Sequence, residues 1–123
     1  HKEYRRQRQM CIRDRAQETP ILLLDEPTTY LDIVHQIELL ELLAELNRQG
    51  RTIVAVLHDL NQACRYASHL IALRDGAIVA QGAPAAIFTE ALVEQVFGLA
   101  SVIIRDPVSG TPLMVPKGRI DPA

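Results

Sequence analysis

Two acidic side chains stand side by side at the end of an aliphatic run: Ile21-Leu22-Leu23-Leu24 leads into Asp25 and Glu26, and Pro27 follows. A second apolar run, Ile53 to Leu57, ends in His58 and Asp59. If both runs are neighbouring strands, two acids and an imidazole reach one sheet edge. Ligands of open α/β sheets gather outside the carboxyl ends of the strands. Carboxylate oxygens placed there suit Mg²⁺, which keeps several waters and is usually held by one or two carboxylates plus substrate phosphates. The aliphatic strand is then a rigid, dry support whose tip presents one acid to a metal and a second to water.

The surrounding sequence predicts the elements that must position these groups. Ile21 to Leu24 reads as a strand buried on both faces, the pattern of a parallel sheet. A helix is predicted over 33–48, with Asp32 as N-cap, Gly50 as its stop, and an apolar stripe through Ile33, Ile37, Leu40 and Ala44. Glu38, Glu41, Glu45 and Arg48 take the other side. A β-branched strand over 52–57, a short helix over 60–67 and a strand over 69–73 follow. Asp75-Gly76 between LIALR and AIVAQ predicts a two-residue hairpin. Thr89 to Phe97 reads as a capped helix closed by Gly98, and Ser109-Gly110 marks the turn of a small terminal hairpin. This alternation predicts an α/β fold: a mostly parallel sheet with flanking helices and an antiparallel edge.

Composition sets the outer limits. With 123 residues, 48% apolar and 23% charged, the chain is one domain or part of one. Its apolar runs fall far short of the roughly 20 residues that span a bilayer. The opening HKEYRRQRQM has no secretory pattern. Cys11 and Cys64 lack metal-ligand spacing and read as reduced thiols. Residues 1–15 hold six basic and two acidic side chains, whereas the remainder holds seven basic and thirteen acidic, which places a join near Ala16. That basic head has no aromatic interleaving beyond Tyr4, so no nucleic-acid partner is expected.

ILLLDEP resembles the Walker B segment of an ATP-binding cassette (ABC) ATPase, TYLD its D-loop, and VLHDL the strand and histidine of its switch. All three occur in the family's order, and RDGAIVAQG is similar to the chain after the switch. PTTYLDIVHQIELLELL and IIRDPVSGTPLMVP narrow the resemblance to the ATPase subunits of bacterial importers for iron siderophores, haem and vitamin B12. The resemblance implies the C-terminal half of an ATP-binding subunit, part of a P-loop NTPase fold. Its implied cofactors are ATP and Mg²⁺. It implies a second cassette as homodimer partner, transmembrane permease subunits, indirectly a substrate-binding protein, and a peripheral place on the cytoplasmic face of the inner membrane. By the same resemblance Asp25 holds Mg²⁺ through water, Glu26 orients and deprotonates the attacking water, and His58 touches the γ-phosphate. By the resemblance Asp32 matches the D-loop acid, which lies at the interface between two cassettes and is read as a cofactor-binding residue, a role that can coexist with N-capping. Thr28 and Thr29 read as loop hydrogen-bonders, Tyr30 as a packing side chain, and His1, His35 and His69 as surface or packing residues.

Nothing in the chain resembles the Gly-rich phosphate loop G-x-x-x-x-G-K-[ST], or the Gln loop and helical subdomain of the family. Residues 1–15 stand where the signature segment is expected, yet HKEYR supplies neither of its glycines and MCIRDR looks foreign. The expected division is therefore an atypical basic segment over 1–15, the second half of an ATPase domain over 16–100, and an extension over 101–123. These residues alone are expected to be inactive. The rival reading is a non-transport cassette ATPase or a non-catalytic fragment.

Overall fold

The computed structural model describes residues 20–118, so readings placed on His1, Cys11, the basic segment 1–15 and its join at Ala16 lie outside the described residues. The chain divides after His58 into two compact units.

The first unit contains strand β1 (Ile21–Asp25), helix α1 (Ile33–Arg48) and strand β2 (Thr52–Val56). β1 and β2 pair in parallel, from Ile21 opposite Thr52 to Asp25 opposite Val56. α1 occupies the predicted residues. Asp32 caps its start by accepting from the His35 N–H, and Gly50, at φ +100°, closes its end. The reversal at Gly50 lets the Arg51 N–H reach the Leu46 carbonyl at 3.1 Å.

The buried face of α1 differs from the predicted stripe. Leu39, Leu40, Leu43 and Leu46 are buried, whereas Ile33 is 62% exposed. Leu39, Leu43 and Leu46 follow helical spacing and pack on Leu22. A stripe of three leucines removes more apolar area from water than one running through Ala44, so packing selects it. Truncating Leu39, which is 1% exposed, would cost about 2–5 kcal/mol. Glu38, Glu41, Glu45 and Arg48 are exposed as predicted.

β1 is also covered on one face rather than two. Leu22 is buried beneath α1, with Leu24 and Ile53 packed beside it, but Leu23 is 73% exposed. Successive strand side chains point to opposite faces. The second face, carrying Ile21, Leu23, Val54 and Val56, is therefore left exposed.

The second unit contains helix α2 (Leu60–Tyr66), strands β3 (Leu70–Arg74) and β4 (Ala77–Gly82), helices α3 (Pro84–Ile87) and α4 (Glu90–Phe97), and strands β5 (Ser101–Arg105) and β6 (Pro112–Pro116). The β3–β4 turn falls on Asp75-Gly76, both at positive φ, as a primed hairpin turn requires. Thr89 caps α4 by accepting from the Leu92 N–H at 3.1 Å, and Gly98 ends it in the left-handed region. The single-turn α3 is not among the predicted elements; Pro84 at its start is the local signal for it. Buried Cys64, Phe88, Leu92 and Val93 form this unit's core, with Ile103 of β5 and Met114 of β6 packed against them.

The class is mixed α/β, in three two-stranded sheets among the described residues. Within the second unit β3 pairs with β4 in antiparallel fashion, the expected antiparallel hairpin.

Candidate active site

The parallel register of β1 and β2 carries Asp25 and Val56 to the same level, so the residues that follow each strand emerge together. Glu26 continues the ladder by one bond, donating its N–H to the Val56 carbonyl at 3.1 Å. Beyond it the chain turns sharply. Glu26 sits at φ +50°, a left-handed conformation that disfavours a residue with a β-carbon, and Pro27 behind it is buried. Such strain, of order 1–3 kcal/mol, persists where surrounding contacts over-determine it, and it concentrates at functional sites. Here the Thr29 N–H donates to the Glu26 carbonyl at 3.1 Å, and the Thr29 hydroxyl reaches Glu26 Oε2 at 3.4 Å.

The outcome is a pair of facing side chains. Nε2 of His58 is hydrogen-bonded to Oε1 of Glu26, and the two form an ion pair when the imidazole is protonated. The hydrogen bond from His58, followed by its charge, holds the Glu26 carboxyl below the usual carboxylate range; desolvation opposes this and Thr29 adds to it. Both side chains remain accessible to solvent, so a ligand could reach them. Asp25, the last residue of β1, is exposed at the same edge.

Asp32 acts as the N-cap. Its Oδ1 accepts from the His35 N–H at 3.1 Å and also pairs with His35 Nδ1. His35 is thus tied to the cap rather than merely exposed. His69 pairs with Gln81 at 3.1 Å. Thr29 is a loop hydrogen-bonder as expected, and the Thr28 carbonyl accepts from the Leu31 N–H at 3.2 Å. The reading of Tyr30 as a packing side chain is corrected: it is 96% exposed and lies at φ +69°. It lies in the turn from Glu26 to Leu31, where the Thr29 N–H donates to the Glu26 carbonyl at 3.1 Å and the Leu31 N–H to the Thr28 carbonyl at 3.2 Å.

Among the described residues no group of three or more His, Cys, Asp or Glu side chains could hold a metal ion. The donor set is two adjacent carboxylates at a strand end. That set fits a hard cation bound largely through water and phosphate oxygens, rather than an all-protein cage. Among the described residues no helix is long and apolar enough to cross a membrane.

Sequence reasoning missed several contacts. Asp59 caps α2, accepting from the N–H groups of Asn61 and Gln62 at 3.0 Å each; its place directly before the helix was the available signal. The pairings Asn61 with Met114 and Arg65 with Asp106 span 53 and 41 positions and have no local signal.

No family model matches the chain. It is 67% identical over 119 residues to the ferric enterobactin transport ATP-binding protein FepC of Escherichia coli, covering 96% of this chain and 44% of that protein. It is 57% identical over 118 residues to the achromobactin transport ATP-binding protein CbrD of Dickeya dadantii, covering 95% and 44%. The chain thus spans less than half the length of these curated relatives. A solved metal-chelate type ABC transporter in an inward-facing conformation superposes with a TM-score of 0.69 at 28% identity, over 80% of this chain and 41% of that one.

Proposed function

We propose that this chain, whose homologues over nearly its whole length are ATP-binding subunits of ABC importers for siderophores and haem, supplies the Walker B, D-loop and switch-histidine part of a subunit that hydrolyses ATP to drive uptake of an iron siderophore or a related metal chelate. The observation that carries this reading is the juxtaposition of Glu26 and His58 at the carboxyl ends of two parallel strands. In this reading residues 16–100 belong to the ATPase domain, whose complete sheet is mostly parallel, and residues 101–123 extend it.

Glu26 is the general base. It must stand within hydrogen-bond reach of the attacking water, and a strained turn braced by Thr29 fixes where its carboxylate points. While His58 is bonded to it, Glu26 is a poorer base, because that bond stabilises the carboxylate. Transfer of the His58 contact to the γ-phosphate raises the basicity of Glu26 at the moment nucleotide is in place. Asp25, with water, would hold Mg²⁺, which supplies neutralisation of charge on the phosphoryl oxygens. Asp32 caps α1 and lies at the contact with a second copy of the subunit.

The same reading takes a second copy of the subunit, transmembrane permease subunits and, indirectly, a substrate-binding protein as partners, with a peripheral position on the cytoplasmic membrane face; the relatives' role in transport supports the permease partners. The test is reconstitution of the complete subunit with its permease in vesicles. ATP-dependent accumulation of a ferric siderophore, lost in Glu26→Gln, supports the reading; ATP hydrolysis with no dependence on permease or chelate would favour a non-transport ATPase.

A further inference from the structure

Glu26, Thr29 and His58 all belong to the first unit. The two oxygens of the Glu26 carboxylate meet different partners there. Oε1 is hydrogen-bonded to Nε2 of His58, which arrives from beyond the neighbouring strand end. Oε2 faces Oγ1 of Thr29 at 3.4 Å, inside the same turn. Thr29 also holds the main chain of Glu26, its N–H donating to the Glu26 carbonyl at 3.1 Å. One residue thus fastens both the backbone and the side chain of the acid. The backbone bond sets the separation of the two residues, and a β-branched side chain is stiff at χ1, so the hydroxyl is in place in advance. Hydrogen bonds that act in catalysis are often long before substrate is bound and tighten with it, which suits a contact of 3.4 Å.

We propose that Thr29 is a positioning residue for the base: its hydroxyl anchors Oε2, so that Oε1, the oxygen His58 vacates, is the one aimed at the attacking water. The two contacts differ in permanence. His58 leaves Oε1 for the γ-phosphate in the function proposed above, whereas Thr29 is tied to Glu26 by the turn itself and stays. The turn needs only the N–H of Thr29, which every residue but proline supplies, so the hydroxyl is not called for by the backbone. A reacting group has to be held to within about 0.5 Å of its productive position, and a second fixed oxygen supplies that restraint on a flexible glutamate stem. The inference rests on Glu26 acting as the base, as proposed above.

The experiment uses the complete ATP-binding subunit, with kcat and KM for Mg-ATP, Mg-ATP affinity by equilibrium binding, and a thermal melt for each variant. Thr29→Val keeps the branched shape and the backbone N–H but removes the hydroxyl. It is expected to lower kcat about tenfold while KM and affinity stay within about twofold, since a small displacement of a reacting group weakens the chemical step more than binding. Thr29→Ser returns the hydroxyl and is expected to bring kcat back to within about threefold of the parent. In a Glu26→Gln background Thr29→Val is expected to change the residual kcat by less than about twofold, because its effect passes through the carboxylate. An unchanged kcat in Thr29→Val overturns the proposal, as do equal losses in Thr29→Val and Thr29→Ser, or the full loss persisting in the Glu26→Gln background. Should Thr29→Val fail to fold, Thr29→Ala is carried through the same series with the same criteria. Hydrolysis by Glu26→Gln at the parental rate would instead remove the base itself, which is a different outcome from an unaffected Thr29→Val.

Discussion

Nε2 of His58 is hydrogen-bonded to Oε1 of Glu26, a residue 32 positions earlier, and the contact exists because two parallel strands end level with each other. Under the proposed function the pair joins a general base and a phosphate-sensing imidazole, each bonded to the other before nucleotide arrives.

Acid stability depends on Asp106. The Arg65 guanidinium and two backbone N–H groups hold its carboxyl at about 2, below its ordinary value of 3.8. A depressed folded-state pKa contributes stability that is complete above the unfolded value and is lost as pH falls through the folded one. The contribution of Asp106 is thus expected to be full above about pH 4 and to vanish toward about pH 2. Denaturant unfolding across that window should show a shallower pH slope in Asp106→Asn than in the parent; identical slopes would refute the assignment.

Cys64 is fully buried, and desolvation pushes its thiol up to about 11. The thiolate is the reactive form, so Cys64 is expected to resist alkylation near pH 8 until the protein unfolds. Peptide mapping after native and denatured labelling measures this. Modification of Cys64 in the native protein at the rate of a free thiol would contradict it.

Thr89 caps α4 through its hydroxyl. Thr89→Ala is expected to lower stability by about 1 kcal/mol, and Thr89→Ser to restore most of it, since serine keeps the acceptor. Equal stability of the alanine and serine variants in chemical denaturation would show that the hydroxyl is not what holds the helix start.

The exposed face of the first sheet, Ile21, Leu23, Val54 and Val56, is expected to drive association when the 123 residues are produced by themselves. Replacing Leu23 and Val54 together by lysine and glutamate should reduce the apparent mass in light scattering. A monodisperse monomer from the parent chain, with a sharp cooperative melt, would count against this.

The residues that were legible in the sequence are those whose signal is local. Asp32 and Thr89 announce helix starts, Asp75-Gly76 a hairpin and Gly98 a helix end, and each does so through the backbone conformation it favours or the bond it makes. The placement of Asp25, Glu26 and His58 at neighbouring strand ends was legible because an aliphatic run reads as a strand. What tertiary packing decides was not legible. α1 carries apolar residues over more than half its circumference, and only the position of Leu22 selects Leu39, Leu43 and Leu46 as the inner stripe. Coverage of the second face of β1 depends on chain that is not local to it, so ILLL alone reads as buried on both sides. Tyr30 was misread because its exposure comes from a left-handed turn that no glycine advertises.

The role proposed for Glu26 as the base is decided by side-by-side measurement of Mg-ATP affinity and phosphate release by the complete subunit and its Glu26→Gln, Asp25→Asn and His58→Ala variants. Glutamine keeps the size and hydrogen-bonding reach of Glu26 but not its basicity, so binding should survive while hydrolysis falls by about 10² to 10⁴. Asp25→Asn should weaken both binding and turnover, and His58→Ala should slow turnover by removing a polar contact to the phosphoryl group. Hydrolysis by Glu26→Gln at the parental rate would rule Glu26 out as the base, and the acid held by His58 and Thr29 would then serve some other end.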